Sequence, residues 1–423
     1  MTARGGTGLA RRPALVAVVV SFCTVGVLAA RLVPWDWVPG GHLVAVPASA
    51  LFTPAQIHRA EDYSWWQRGL GWTSYVVTFV VLGWFALSRR GVSVLHRVVD
   101  ARRWWLAVLL ATLVVLAAER VATLPFALAA HAVDRHFGIS TQGYGAWTVD
   151  LAKSLLVGWV TTSLLLLVAV ALARRSPRWW FAWAGAAVLV LSVASSFLYP
   201  VVVEPLFNHF TPMRPGPLRH SLLRLADLEG VRVHDVLVAD ASRRTTTVNA
   251  YVSGFGSTRR IVVYDTLLRD LSPAQVRVVV AHELGHAKHQ DVVLGTLLGA
   301  VGGVGGVALL ALVMDTGVVR RRARIDGVAD PAAVGMVLAL VAVGAFVVSP
   351  MQNTVSRAIE ARADRASLET THADRTFVQL QRQLALRSLQ DPTPPRLSQL
   401  WWGSHPTVLQ RAGLPTALRR SDG

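Results

Sequence analysis

The sequence predicts a mostly α-helical, polytopic membrane protein with about seven transmembrane helices, joined to a polar domain that holds a small antiparallel β-sheet. Three observations predict it. Hydrophobic residues make up 53% of the 423 and charged ones only 16%, where an ordinary soluble domain carries about 25% charged residues. Seven apolar runs approach the ~20 residues that cross ~30 Å of hydrocarbon. Arginines gather in short clusters between those runs, at 11–12, 89–103, 174–178 and 320–324, as positive loops beside membrane spans do. The net charge of +17 is almost wholly arginine, with Lys only at 153 and 288. Such clustering fits a lipid bilayer as partner and argues against nucleic acid.

Along the chain, the spans fall at 13–33, 70–88, 104–125, 151–173, 179–201, 292–314 and 332–350. The first follows a basic, signal-like N-terminus, but its apolar stretch is long and further spans follow, so it reads as an uncleaved helix. Glu119 and Arg120 interrupt the third, where adjacent opposite charges near a helix end snorkel or face the protein interior. Tryptophans at 65, 66, 72, 104, 105, 179 and 180 crowd the span ends, as interfacial belts do. Five spans thus form an N-terminal membrane region, 1–201. A polar segment follows at 202–291, then a two-span hairpin at 292–350 and a second polar segment at 351–423. Cys23 is the lone cysteine, so an internal disulfide and a cysteine metal site are both excluded.

Within 202–291, "VLVAD" and "RRIVVYD" are β-branched runs separated by turn residues, which predicts the small antiparallel sheet. "LSPAQVRVVVAHELGHAKHQD" then opens a helix. Ser272 N-caps it, Pro273 takes the first helical position and Gln275 completes a capping box. The apolar run after Asp291 predicts that this helix leads straight into the sixth span.

On that helix His282 and His286 stand four residues apart, hence on one face. Two imidazoles so placed can reach one Zn²⁺ at about 2.0–2.1 Å. Glu283 lies one step round, able to take a proton from a water without ligating the metal. Two solvated helix histidines are the bland alternative, and an H-E-x-x-H that follows a well-formed helix start disfavours it. Zinc chemistry needs a third protein ligand and an open position. Glutamate is scarce, and Glu360 in "SPMQNTVSRAIEARADRASLE" is the best candidate. Asp364 lies one turn on, placed to orient a zinc histidine. Salt bridges to Arg357, Arg362 or Arg365 are the competing role for both carboxylates.

These motifs stand in order with "LPFALAAHAVDRHFGISTQ", "DLAKSLL", "EPLFNHFTPM", "VNAYVSGFGSTRRIVVYDTLL", "AHELGHAKHQD", "SRAIEARAD" and "SHPTVLQR". On them the sequence resembles, from about residue 119 onward, the type I CAAX prenyl proteases, seven-span zinc endopeptidases of the gluzincin type. The resemblance implies one Zn²⁺ per chain held by His282, His286 and Glu360, with Glu283 as catalytic base and Asp364 supporting a ligand from behind. It implies that Asn249 lies on an edge strand lining the substrate cleft, to which a peptide adds as a further strand. It implies that His405 assists at the substrate or its oxyanion, and that Arg411 lies near the bound peptide's C-terminus. His289 and Asp291 also match, with structural polar contacts and support of the ligands as equal alternatives. The spans of such a protein enclose a water-filled chamber with the site facing inward, where charges are tolerated.

The expected function is hydrolysis of peptide bonds by a zinc-activated water, on a membrane-associated or lipidated peptide or protein. Two other readings stand beside it. One is a membrane-protein quality-control protease of the HtpX type, a group that usually has fewer spans. The other is a zinc-bound receptor or scaffold without proteolysis, which the presence of Glu283 disfavours. A transporter leaves the zinc constellation unexplained. Arginine-heavy, lysine-poor usage points to a GC-rich bacterial genome, and so to a bacterial cytoplasmic membrane. The charge rule puts residues 202–291 and the C-terminus outside the cytoplasm, whereas the resemblance to eukaryotic members implies the cytosolic face. Both orientations stay open at the level of sequence.

Overall fold

The computed structural model describes residues 8–421 apart from 37, 39, 41 and 255, so the first seven residues of the signal-like N-terminus lie outside it. In chain order the helices are α1 (Arg11–Leu32), α2 (Pro54–Leu87), α3 (Arg89–Val99), α4 (Trp104–His136), α5 (Tyr144–Arg175), α6 (Trp180–Leu198), α7 (Glu204–Phe207) and α8 (Pro217–Leu228). After the strands come α9 (Asp265–Asp270), α10 (Pro273–Lys288), α11 (Asp291–Met314), α12 (Gly317–Ala323), α13 (Val334–Thr371), α14 (Asp374–Ser388), α15 (Arg396–Trp402) and α16 (Val408–Ser421). Six of them, α1, α2, α4, α5, α11 and α13, are long and apolar enough to cross a membrane. The fifth expected span falls on α6, which is apolar over residues 180–196. The spans pack in closed succession, α11 on α6, α5, α4, α2, α13 and back to α11, with α1 laid along α11. A Cβ on Gly305 would come within 2.9 Å of the Ser21 Cβ, so its absence lets α1 approach α11 closely.

Several spans run on beyond the lengths their apolar runs predict. Expected at 70–88, α2 begins at Pro54 behind a Thr53–Gln56 capping box. Its 34 residues extend roughly 51 Å at 1.5 Å each, well past the ~30 Å of hydrocarbon. The polar first turns carry no apolar signal and are held instead by tertiary contacts. Arg68 pairs with Asp391 at 2.6 Å, and Arg382 donates to the Leu51 carbonyl at 2.6 Å. At the other end of the chain, α13 carries the seventh span without interruption through Glu360 and Asp364.

Two expectations are corrected. The motif helix does not lead straight into the sixth span, because Gln290, in the left-handed region at φ 56°, separates α10 from α11. A straight helix would place Asp291 about 140° round from His286; the break brings the two together. The sheet is not purely antiparallel either. Its strands β1 (Phe210–Pro212), β2 (Asp235–Ala239), β3 (Ala250–Ser253) and β4 (Arg260–Tyr264) lie in the order β1-β2-β4-β3. β2 and β4 are parallel, while β1 and β3 add antiparallel at the edges. The long connection from 240 to 259 makes this possible, since it carries β3 to the edge and returns the chain beside β2 in the same sense.

Behind the sheet one core joins both polar segments. Leu222, Ile261, Val280 and Leu284 from the first pack with Phe377, Leu380 and Leu414 from the second. That shared core brings α10 and the lower part of α13 into contact.

Candidate active site

Three side chains converge where α10 meets α13. Gly285 is what allows the helices so close, because a Cβ there would sit 3.2 Å from the Cβ of Ala366. The Nε2 atoms of His282 and His286 face each other at 3.1 Å, with ring planes at 87°. Glu360 closes the triangle, its Oε2 3.2 Å from His282 Nε2 and its Oε1 3.6 Å from His286 Nε2. All three ligand atoms lie within 4.8 Å of one another.

Two observations show that this set fits a metal ion. Two nitrogens bound to one tetrahedral Zn²⁺ would stand about 3.3 Å apart, close to the separation seen here. Glu360 Oε2 is buried and accepts no hydrogen bond, although imidazole nitrogens flank it. An unsatisfied buried carboxylate oxygen is costly, and a cation among the three donors would satisfy it.

Each histidine is backed by its own carboxylate. His282 Nδ1 lies 3.0 Å from Asp364, and His286 Nδ1 lies 2.8 Å from Asp291. Each carboxylate is in turn held by an arginine. Arg411 grips Asp364 with Nε at 2.7 Å and Nη2 at 2.5 Å, and Arg362 pairs with Asp291. Burial alone would lower the Arg411 pKa, but Asp364 reverses this and raises it, keeping the guanidinium charged. For Asp291 the sequence left structural contacts and support of a ligand as equal alternatives; the structure sets it against His286, with Arg362 behind it. The signal was weak because helical periodicity, without the break at Gln290, sends Asp291 to the wrong face. His289 makes no such contact among the described residues.

Glu283 projects into the same space without joining the triangle, and burial pushes its carboxyl pKa up. His405 Nε2 lies 3.2 Å from Glu360 Oε2, and its Nδ1 meets the Ser404 hydroxyl at 2.9 Å. Asn249 stands immediately before β3, with its Oδ1 accepting from the Ala250 N–H at 2.9 Å. Among the described residues β3 has only β4 as a neighbour, so its outer edge is unpaired there. That edge, with His282, Glu283, His286 and Glu360, lines a chamber of 1540 Å³. Of the expected ring of spans, α1, α6, α11 and α13 supply its walls, largely with aliphatic residues and glycines. A second cavity of 350 Å³ lies against the same cluster and is lined by His282, Glu283, Asn249 and His405 as well.

Comparison with known proteins agrees with this geometry. The sequence model of peptidase family M48 matches residues 212–414, and that of the CAAX prenyl protease N-terminal region, five membrane helices, matches 42–209. Over 291 residues the chain is 30% identical to the uncharacterized metalloprotease YhfN of Bacillus subtilis, covering 68% of each protein. It is 30% identical over 172 residues to CAAX prenyl protease 1 of Saccharomyces cerevisiae, covering 40% of this chain and 38% of the yeast one. A homologue in Arabidopsis thaliana matches at 29% over 41% of its length, so the chain spans about two fifths of these CAAX relatives. The crystal structure of S. mikatae Ste24p superposes with a TM-score of 0.75, at 19% identity, over 96% of this chain and 98% of that one. At that identity the superposition speaks for the fold.

Proposed function

The chain belongs to peptidase family M48, an integral-membrane metalloprotease, and from that premise we propose its metal, its catalytic residues and its substrate class. The metal is Zn²⁺, one per chain, held by His282, His286 and Glu360. When bound, it supplies a Lewis acid for the scissile carbonyl and for a water.

The protein's own residues do the rest. Glu283 takes the proton of the attacking water and returns it to the leaving amine. Its raised pKa suits a group that must both accept and release a proton. Asp364 and Asp291 fix the two imidazole rings from behind, and their arginines keep both carboxylates aimed. His405 donates a hydrogen bond to the developing oxyanion from the rim of the site. Arg411, with two nitrogens engaged by Asp364, acts on the substrate end mainly through that pairing. The free edge of β3, opening at Asn249, takes the peptide backbone as an added strand.

The observation that carries this reading is the common chamber. Its 1540 Å³ exceeds the roughly 300–1,000 Å³ of small-molecule pockets, and it joins the three donors, Glu283 and the unpaired strand edge. Its aliphatic upper walls suit a membrane-associated or lipidated peptide. The bacterial cytoplasmic membrane is its proposed setting, in line with its bacterial relative. The test is cleavage, by purified protein loaded with zinc, of one peptide with and without a prenyl group. Chelator and Glu283→Gln controls should both be silent. Cleavage that survives either control refutes the mechanism, and indifference to the lipid refutes the substrate class.

A further inference from the structure

A cleft of 540 Å³ that shares no residue with the catalytic cluster opens between the α3–α4 turn, the end of α5 and the segment before α13. Its volume falls within the roughly 300–1,000 Å³ of small-molecule sites. It lies where two spans leave the hydrocarbon. Trp104 opens the apolar run of α4, and Arg174 directly follows that of α5. The Arg174 guanidinium stands 5.7 Å from the centre of the Trp104 ring. Trp105 beside it is 42% exposed, and tryptophans so placed mark the level of the lipid headgroups.

Five charged side chains line the cleft: Arg97, Arg102 and Arg174 with Asp100 and Asp330. Opposite charges around one space would ordinarily pair, yet none of the five makes an ion pair among the described residues. Even Arg97 and Asp100, three residues apart at the end of α3, do not meet. Backbone groups hold these side chains instead. Arg102 donates to the Val98 carbonyl at 2.6 Å, Arg174 to the Ala329 carbonyl at 3.4 Å, and Asp330 accepts from the Ala332 N–H at 2.9 Å. Each leaves its other nitrogen or oxygen atoms uncommitted among the described residues. Ala101, at φ 53° in the left-handed region that alanine rarely adopts, turns the chain so that Asp100 and Arg102 both line the space.

We propose that this cleft binds the headgroup of a zwitterionic phospholipid, a phosphodiester that carries a primary ammonium, as in phosphatidylethanolamine. The arginines take the phosphodiester through their N–H donors, and Asp100 and Asp330 take the ammonium. A headgroup with the phosphodiester alone leaves both carboxylates facing a like charge, and so fits this lining less well. Basic pockets between spans are a recurrent place for lipid headgroups; the two carboxylates are what select the ammonium here. A lipid so held ties the turn before α4 to the end of α5. The site stands apart from the protease reading above and does not depend on it.

The test uses full-length, zinc-loaded protein stripped of lipid in detergent. It is titrated with phosphatidylethanolamine or phosphatidylglycerol of the same acyl chains, and native mass spectrometry counts the lipid bound. One phosphatidylethanolamine per chain should bind roughly fivefold tighter or more, as expected of two exposed charge contacts. Asp100→Asn combined with Asp330→Asn should remove that preference, and Arg97→Gln combined with Arg174→Gln should weaken both lipids. Equal binding of the two lipids, or a preference that survives the aspartate substitutions, overturns the proposal. Soluble glycerophosphoethanolamine offers the same charges without acyl chains and should displace the lipid only in large excess. Displacement at equal concentration assigns the cleft to a soluble phosphodiester and refutes the lipid. Hydrogen exchange on the unaltered protein keeps the test decisive where a variant fails to fold. Phosphatidylethanolamine should slow exchange across residues 100–107, and unchanged exchange there refutes the site.

Discussion

Glu283 and Glu360 are both glutamates within reach of the same two histidines, and the structure places them differently. Glu360 faces the paired Nε2 atoms, while Glu283 turns toward the chamber. Glu283→Gln should therefore lower kcat/KM by at least about 100-fold while leaving the zinc-to-protein ratio unchanged, as read by mass spectrometry of the metal. Glu360→Ala should do the reverse at the metal and lower that ratio; full zinc occupancy would assign the third ligand elsewhere. The two supporting aspartates give a sharper comparison. Asp364→Asn and Asp291→Asn should each weaken zinc affinity by roughly 10- to 100-fold, measured by competition with a chelating dye. An effect for Asp364 alone would show that Asp291 only anchors the start of α11.

Among elements, the contact of α10 with α13 decides whether the ligands meet at all. Gly285 already sits where a Cβ would press on Ala366 at 3.2 Å. Gly285→Val should force the helices apart, costing about 1–3 kcal/mol of stability. Zinc occupancy should fall with it even though no ligand is changed. Unaltered occupancy and an unaltered melting temperature would mean that α13 can shift without moving Glu360. The capping box at Ser272–Gln275 and the H-E-x-x-H spacing were legible in sequence because both are local, encoded within one or two helical turns. The break at Gln290 was not legible, since glutamine carries no left-handed preference and tertiary contacts impose the conformation. The mixed sheet was missed for a related reason: strand runs show where strands are, but not which neighbours they take.

At the scale of the whole molecule, the arginine clusters that lie far apart in sequence gather at one end. Arg11 pairs with Asp315 at 2.6 Å, the Ala10 N–H donates to the Arg178 carbonyl, and Arg174 donates to the Ala329 carbonyl at 3.4 Å. Along α11 that end lies at Met314, while Asp291 at the other end lies against His286. The positive-inside rule then predicts the arginine end in the cytoplasm and the catalytic cluster on the opposite face. Membrane-impermeant thiol reagents on intact cells should label a cysteine introduced at the exposed Asp227 and spare one at Arg322. The opposite labelling pattern would reverse the orientation.

By itself the sequence determined a helical membrane protein and the helix bearing the two histidines, and it singled out Glu360 and Glu283 as candidates. Those follow from periodicity, composition and spacing, which act over a few residues at a time. Only the tertiary structure decided that Asp291 lies against His286, that Arg411 braces Asp364, and that a large chamber and a smaller cavity both border the cluster. The physical reason is that such contacts depend on how close two helices approach and where a chain turns. Both are set by packing between segments far apart in the chain, as in His282 with Glu360 and Asp364, 78 and 82 residues on, and no local pattern records them.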